Sequence, residues 1–389
     1  MLPLLAQCAH VTVPEPSALA LSYYNSGNLL WIFSQIWAFA IPLLLLFTGW
    51  SGRISAFAKR TGKKWYFSLV IYLAIFILIY QVLDFPLDFY SGYLRQHEYG
   101  LSNQDFSRWL SQWGKSFLIV LVGAAAFVWI FYLLLKKSPR KWWFYSSLVS
   151  VALSFFFVFI QPLWVAPLFH HFGPMKDKVL EAEILGLASR AGIEEARVFE
   201  VDMSADTKAL NAYVTGFGAS KRIVLWDTTL HTLTPDQTLF VTAHEIGHYI
   251  LHHIWYEVLF LSIFTFAIFY FTYRTAETLL IQNRKRFRFS QLSDIASLPL
   301  LLVVLTFYQL VFTPLFNMFS RHLEHEADQF GLEMTHNNQA AGEAFIALQQ
   351  NNLANPNPGP IYMFWRATHP SLASRVEFCN TYCPWKQKD

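Results

Sequence analysis

Residues 234–254 read TPDQTLFVTAHEIGHYILHHI, and the rest of the chain takes its meaning from them. Thr234 is a good N-cap, Pro235 suits the first helical position, and Gln237 completes a capping box, so a helix starts here. The pattern predicts that it runs through residue 254 and merges into the apolar run beyond. His244 and His248, four residues apart, share one helix face, so both imidazoles reach one ion. Glu245 projects beside them, where a carboxylate takes the proton of an attacking water. The unit reads as the centre of a zinc-dependent hydrolase.

The flanks belong to a membrane. Of 389 residues, 54% are hydrophobic and 14% charged, with a net charge of +3. Soluble domains carry about 25% charged residues. Disorder, a nucleic-acid-binding module and an ordinary cytosolic enzyme are thereby excluded. Six stretches are long enough to span a bilayer: 29–50, 65–85, 117–135, 145–169, 255–273 and 297–319. Tryptophans mark many of their ends, and Pro42, Pro162, Pro167 and Pro314 interrupt them. No fixed-period repeat points to an inverted-repeat transporter. The expected division is an uncleaved extramembrane tail (1–28), four spans (29–169), a first catalytic piece (170–254), a membrane hairpin (255–319) and a second catalytic piece (320–389).

Within the first polar piece a helix is expected at 178–191. Strands follow at 198–201, 211–217 and 222–226, the last two forming a hairpin around Gly216 and Gly218. The third metal ligand should come from SRHLEHEAD (320–328), which the membrane hairpin returns beside the metal helix. By spacing alone, Glu324, His325 and His322 compete for that role. Glu324 and Asp328 share a face, so one carboxylate can bind the ion while the other orients a ligand imidazole. Arg321 and Arg375 are expected to pair with acidic neighbours and support the site. His170-His171 and His252-His253 read as interfacial pairs rather than a second metal site.

HEIGHYILHH, a two-span hairpin and SRHLEHEAD together resemble the type I CAAX prenyl protease family, integral-membrane zinc metalloproteases of the gluzincin group. HEYGLSNQ (97–104), VAPLFHHFGP (165–174), NAYVTGF (211–217), KRIVLWDTTL (221–230) and HPSLASR (369–375) extend the resemblance from about residue 28 to 376, in the family's order. The resemblance implies Glu324 as third ligand, Asp328 behind the ligands, and Asn211 and His369 near the scissile carbonyl. An edge strand at Asn211, Ala212 and Tyr213 would take the substrate as an added strand. Eukaryotic members have a further span, without counterpart here, and a Ser- and His-rich lead-in that SADTKALNAY lacks.

The expected fold is therefore mostly α: a six-span helical membrane protein with a split zincin-like metallopeptidase domain containing a small β-sheet. With the resemblance, one zinc ion per chain is expected, held by His244, His248 and Glu324, with Glu245 and His369 catalytic. The partners are a peptide or protein substrate and membrane lipid, not nucleic acid. A non-catalytic chaperone or scaffold is the alternative, as is processing of lipidated CAAX substrates; a site-2 protease is disfavoured because its motif lies within an apolar span. Loops 51–64, 136–144 and 274–296 carry fourteen Lys and Arg, against Arg95, Arg108 and Lys115 in loop 86–116 and none in 1–27. Positive residues in short loops stay in the cytoplasm. The zinc site then faces outward across a cell (inner) membrane, where Cys379 and Cys383 could form a disulfide.

Overall fold

The computed structural model describes residues 8–387 apart from 195 and 217–220. Among the described residues, five helices are long and apolar enough to cross a membrane: Ala18–Phe47, Trp65–Glu98, Phe106–Lys137, His253–Phe287 and Ile295–Thr335. A sixth candidate is bent by 43° between 142–158 and 161–168. Pro162 and Pro167 lack amide donors there, and the chain passes through a π turn and a 3-10 turn. Pro42, Pro86 and Pro314 instead sit inside continuous helices.

Contacts of the N-terminal segment decide how many crossings there are. Cys8 is disulfide-bonded to Cys383, and the Cys8 amide donates to Asn380 O at 2.9 Å. Val11 exchanges bonds of 3.0 and 2.8 Å with the Asn380 side chain, and Gln349 holds Pro14 O at 3.1 Å. Residues 8–14 thus lie against the segment that follows the last span. Start and finish on one side require an even number of crossings, so the bent pair counts as one span. There are six.

The opposite side gathers the basic loops. Helix Trp50–Gly62 docks on the turn before the last span through Ser51 to Ala296 O (2.7 Å) and Lys59 to Asp294 (2.8 Å). Between the two sides Leu69, Tyr72, Phe76, Leu300 and Val304 form a buried core within the bundle.

The extramembrane part packs helix Lys178–Arg190 and the motif helix around a four-stranded sheet. Its strands are β1 (Phe172–Pro174), β2 (Arg197–Val201), β3 (Ala212–Thr215) and β4 (Arg222–Trp226), in the order β1-β2-β4-β3. The β2–β4 pair is parallel and the others antiparallel. The β3–β4 pairing is the expected hairpin; Gly218 lies outside the described residues. β1, only three residues long, had no legible signal.

Two further expectations are corrected. The motif helix has the capping box at Thr234 and Gln237 but ends at Ile250 instead of merging with the fifth span. His252 takes a left-handed conformation (φ 60°), and the span begins anew at His253. A straight helix could not lie on the sheet and also descend into lipid. Cys383 pairs with Cys8 rather than Cys379, because helix Leu372–Thr381 ends between the two C-terminal cysteines. Cys379 is a free thiol in the core beside Val376 and Phe345, its pKa pushed up to about 12 by burial.

Candidate metal centre

The sixth span continues as helix past the apolar stretch to Thr335 and returns against the motif helix. Two glycines permit the approach. A Cβ on Gly247 would stand 3.1 Å from Phe330, and one on Gly331 would stand 3.3 Å from the His244 backbone. The packing turns Glu324 toward His244 and His248. His244 Nε2 lies 3.1 Å from His248 Nε2, Glu324 Oε2 3.4 Å from His244 Nε2, and Glu324 Oε1 3.5 Å from His248 Nε2. Tetrahedral ligands 2.0–2.1 Å from a zinc stand about 3.3–3.4 Å from one another, so the trio matches the edges of such a site. Glu324 Oε2 is also buried without a hydrogen-bond partner. The residues fit the ion.

The competitors point elsewhere. His322 is exposed and 3.7 Å from Glu326, and the His325 ring packs on Phe378 at 4.4 Å. Behind the trio, Asp328 Oδ1 lies 2.9 Å from His244 Nδ1. Arg375 grips Asp328 with two bonds, 2.8 and 2.5 Å, and stacks over Phe345 at 4.1 Å. Arg321 departs from expectation. Among the described residues it bonds no carboxylate but donates to the carbonyls of Met363 and Ala367, both 2.7 Å, and so holds the loop leading to His369.

Burial sets the electrostatics. Desolvation would lower the His244 pKa, but Asp328 and Glu324 prevail and hold it up to about 10. Burial, with His244 as a like charge, lowers His248 to about 3. Burial raises the Glu245 carboxyl to about 7. Without an ion, the cluster keeps a proton on His244; a divalent cation would take that proton's place.

Two cavities flank the trio. One, of about 440 Å³, is lined by Asn211, Ala212, His244, Glu245 and His369 among others. His369 is half exposed, with Nε2 3.1 Å from Glu324 Oε1 and Nδ1 2.9 Å from Thr368 Oγ1. The other, of about 370 Å³, is lined by His248, Glu324, Val214, Thr215 and Gly216, with Phe155, Trp255 and Val258 of the spans. Edge strand β3 therefore runs from one cavity to the other past the trio. Tyr213 lines neither.

Two features escaped the sequence reading. Asp206 binds the loop after the second span to the catalytic piece. It accepts from Gln104 (3.0 Å), Gln112 (2.8 Å) and Arg108, with His170 Nδ1 at 3.5 Å. Burial opposes the Asp206 charge, but these donors lower its pKa. His253, read as interfacial, is buried with Nδ1 3.0 Å from His248 Nδ1. The only sequence signal was its place five residues after His248.

A six-span bundle with this trio and a neighbouring glutamate defines a membrane zinc metalloprotease. Residues 174–382 match the model of peptidase family M48, and residues 19–171 match the CAAX prenyl protease N-terminal region with its five membrane helices; the chain belongs to family M48. It is 35% identical over 364 residues to the uncharacterized metalloprotease YhfN of Bacillus subtilis, covering 94% of this chain and 85% of that one. It is 28% identical over 322 residues to CAAX prenyl protease 1 of Saccharomyces cerevisiae, covering 78% and 70%. The crystal structure of S. mikatae Ste24p matches with a TM-score of 0.82 at 25% identity, over 94% of this chain and 91% of that one.

Proposed function

We propose that His244, His248 and Glu324 hold one zinc ion per chain and that Glu245 is the general base of peptide hydrolysis. The supporting observation is that the three donor atoms meet between two cavities, with Glu245 and His369 lining one of them, beside the edge strand β3. An extended peptide pairs with β3, and Asn211 at the strand's start helps set its register. Zinc held by the trio supplies Lewis-acid polarisation of the scissile carbonyl. Glu245 takes a proton from the attacking water and passes it to the leaving amine. His369 donates to the developing oxyanion. Asp328 fixes the His244 tautomer, and Arg375 holds Asp328 in place.

The fourteen basic residues of loops 51–64, 136–144 and 274–296 lie on the side away from the trio, so the site faces the extracytoplasmic side. The Cys8–Cys383 bridge supports that orientation, since disulfides persist in oxidising compartments. Relatives named CAAX prenyl proteases make C-terminal CAAX peptides the first substrates to try. The apolar walls of the second cavity suit a substrate with apolar residues next to the cleaved bond.

Glu245→Gln tests the mechanism. The variant should keep its zinc yet hydrolyse a proteome-derived peptide library about 10²–10⁴-fold more slowly, because an amide accepts no proton. Parental turnover in that variant would end the general-base assignment.

A further inference from the structure

His253 is buried at 1% exposure, although it stands at the start of a membrane span. The chain breaks its helix to place it there: Leu251 closes one helix, His252 turns left-handed, and His253 opens the next. Its ring crosses that of His248 at 79°, with Nδ1 to Nδ1 at 3.0 Å. Its Nε2 lies 3.3 Å from Glu326 Oε2.

Two imidazole nitrogens at that distance share one proton. His248 must offer a bare Nε2 to an ion, so its own proton sits on Nδ1 and is donated to His253 Nδ1. His253 then carries its proton on Nε2, facing the Glu326 carboxylate. Metal-ligating histidines almost always donate their second N–H to a carboxylate, a carbonyl or water. His244 meets Asp328 directly. For His248 the carboxylate is one ring further away.

We infer that His253 is a positioning residue for the metal: it accepts from His248 and hands the polarisation on to Glu326, fixing the tautomer and ring angle of the second ligand. It is not a fourth ligand, because its contact to His248 is through the nitrogen opposite the one that faces the trio. This inference rests on the metal reading above.

The test uses the full-length protein in detergent, loaded with zinc or with cobalt(II). His253→Leu removes the acceptor at similar volume and should weaken zinc binding about 10–100-fold, read as faster release to a chelator, and shift the cobalt absorption bands. His253→Asn, whose Oδ1 can accept where Nδ1 did, should recover most of both. Glu326→Gln, on a half-exposed side chain, should give a smaller loss of the same sign. Parental zinc release and an unchanged cobalt spectrum in folded His253→Leu would overturn the relay, as would an Asn variant no better than Leu. If His253→Leu does not fold, parental release in Glu326→Gln overturns it. A parental protein that holds no zinc would instead overturn the metal assignment itself.

Discussion

His244 carries the clearest consequence at the scale of single residues. In the metal-free protein Asp328 and Glu324 keep its proton on up to about pH 10, against 6.5 for a free imidazole. Its stabilisation is therefore complete below pH 6.5 and is lost as pH rises through 10. Glu245, raised from 4.5 to about 7 by burial, has the same sign in its own window. His248, lowered to about 3, acts oppositely, costing stability as pH falls below 6.5. Chelator-stripped protein should accordingly melt lower at pH 9.5 than at pH 7, by about 5 °C or more, while zinc-loaded protein shows a flatter profile because the ion replaces the proton. Equal slopes with and without zinc in thermal unfolding would contradict this. His244, Glu245 and His248 were legible from spacing on one helix. The choice of Glu324 over His322 and His325 came from the family resemblance, and spacing alone left it open, since all three lie within one turn and only the docking of two helices decides which faces inward.

At the scale of elements, the break at Leu251–His252 separates a helix that lies on the sheet from one that enters lipid. The left-handed backbone at His252 costs a side-chain-bearing residue about 1–2 kcal/mol and costs glycine little. His252→Gly should leave stability within about 0.5 kcal/mol, the relieved strain offsetting glycine's greater freedom when unfolded. His252→Val, β-branched at positive φ, should lower stability by about 1–2 kcal/mol and speed zinc release, because His253 is displaced. Denaturant titration and chelator competition read the two effects. The start of the motif helix was legible because capping is local chemistry. Its end was not, because Tyr249-Ile250-Leu251-His252-His253 contains no Gly or Pro, and the turn answers to where the membrane lies.

For the whole molecule, the strap of residues 8–14 on the C-terminal segment, the bridge from Cys8 to Cys383 and the basic loops on the far side all bear on orientation. An outward site gives an intact disulfide in cells and one free thiol, Cys379, reactive only after denaturation. Alkaline phosphatase fused after residue 389 should be active, and denatured, unreduced protein should take up one thiol label per chain. Three labels per chain together with inactive phosphatase would reverse the orientation.

The sequence by itself determined the membrane class, the apolar spans, the start of the motif helix and the β3–β4 hairpin, since hydropathy, capping and strand alternation act over short stretches of chain. Tertiary structure decided which cysteine closes the bridge, that Arg321 serves a loop instead of a carboxylate, and that Asp206 and His253 matter. Each of those depends on partners far apart in sequence or across a turn, and only packing brings them within the few ångströms over which hydrogen bonds, ion pairs and metal coordination operate.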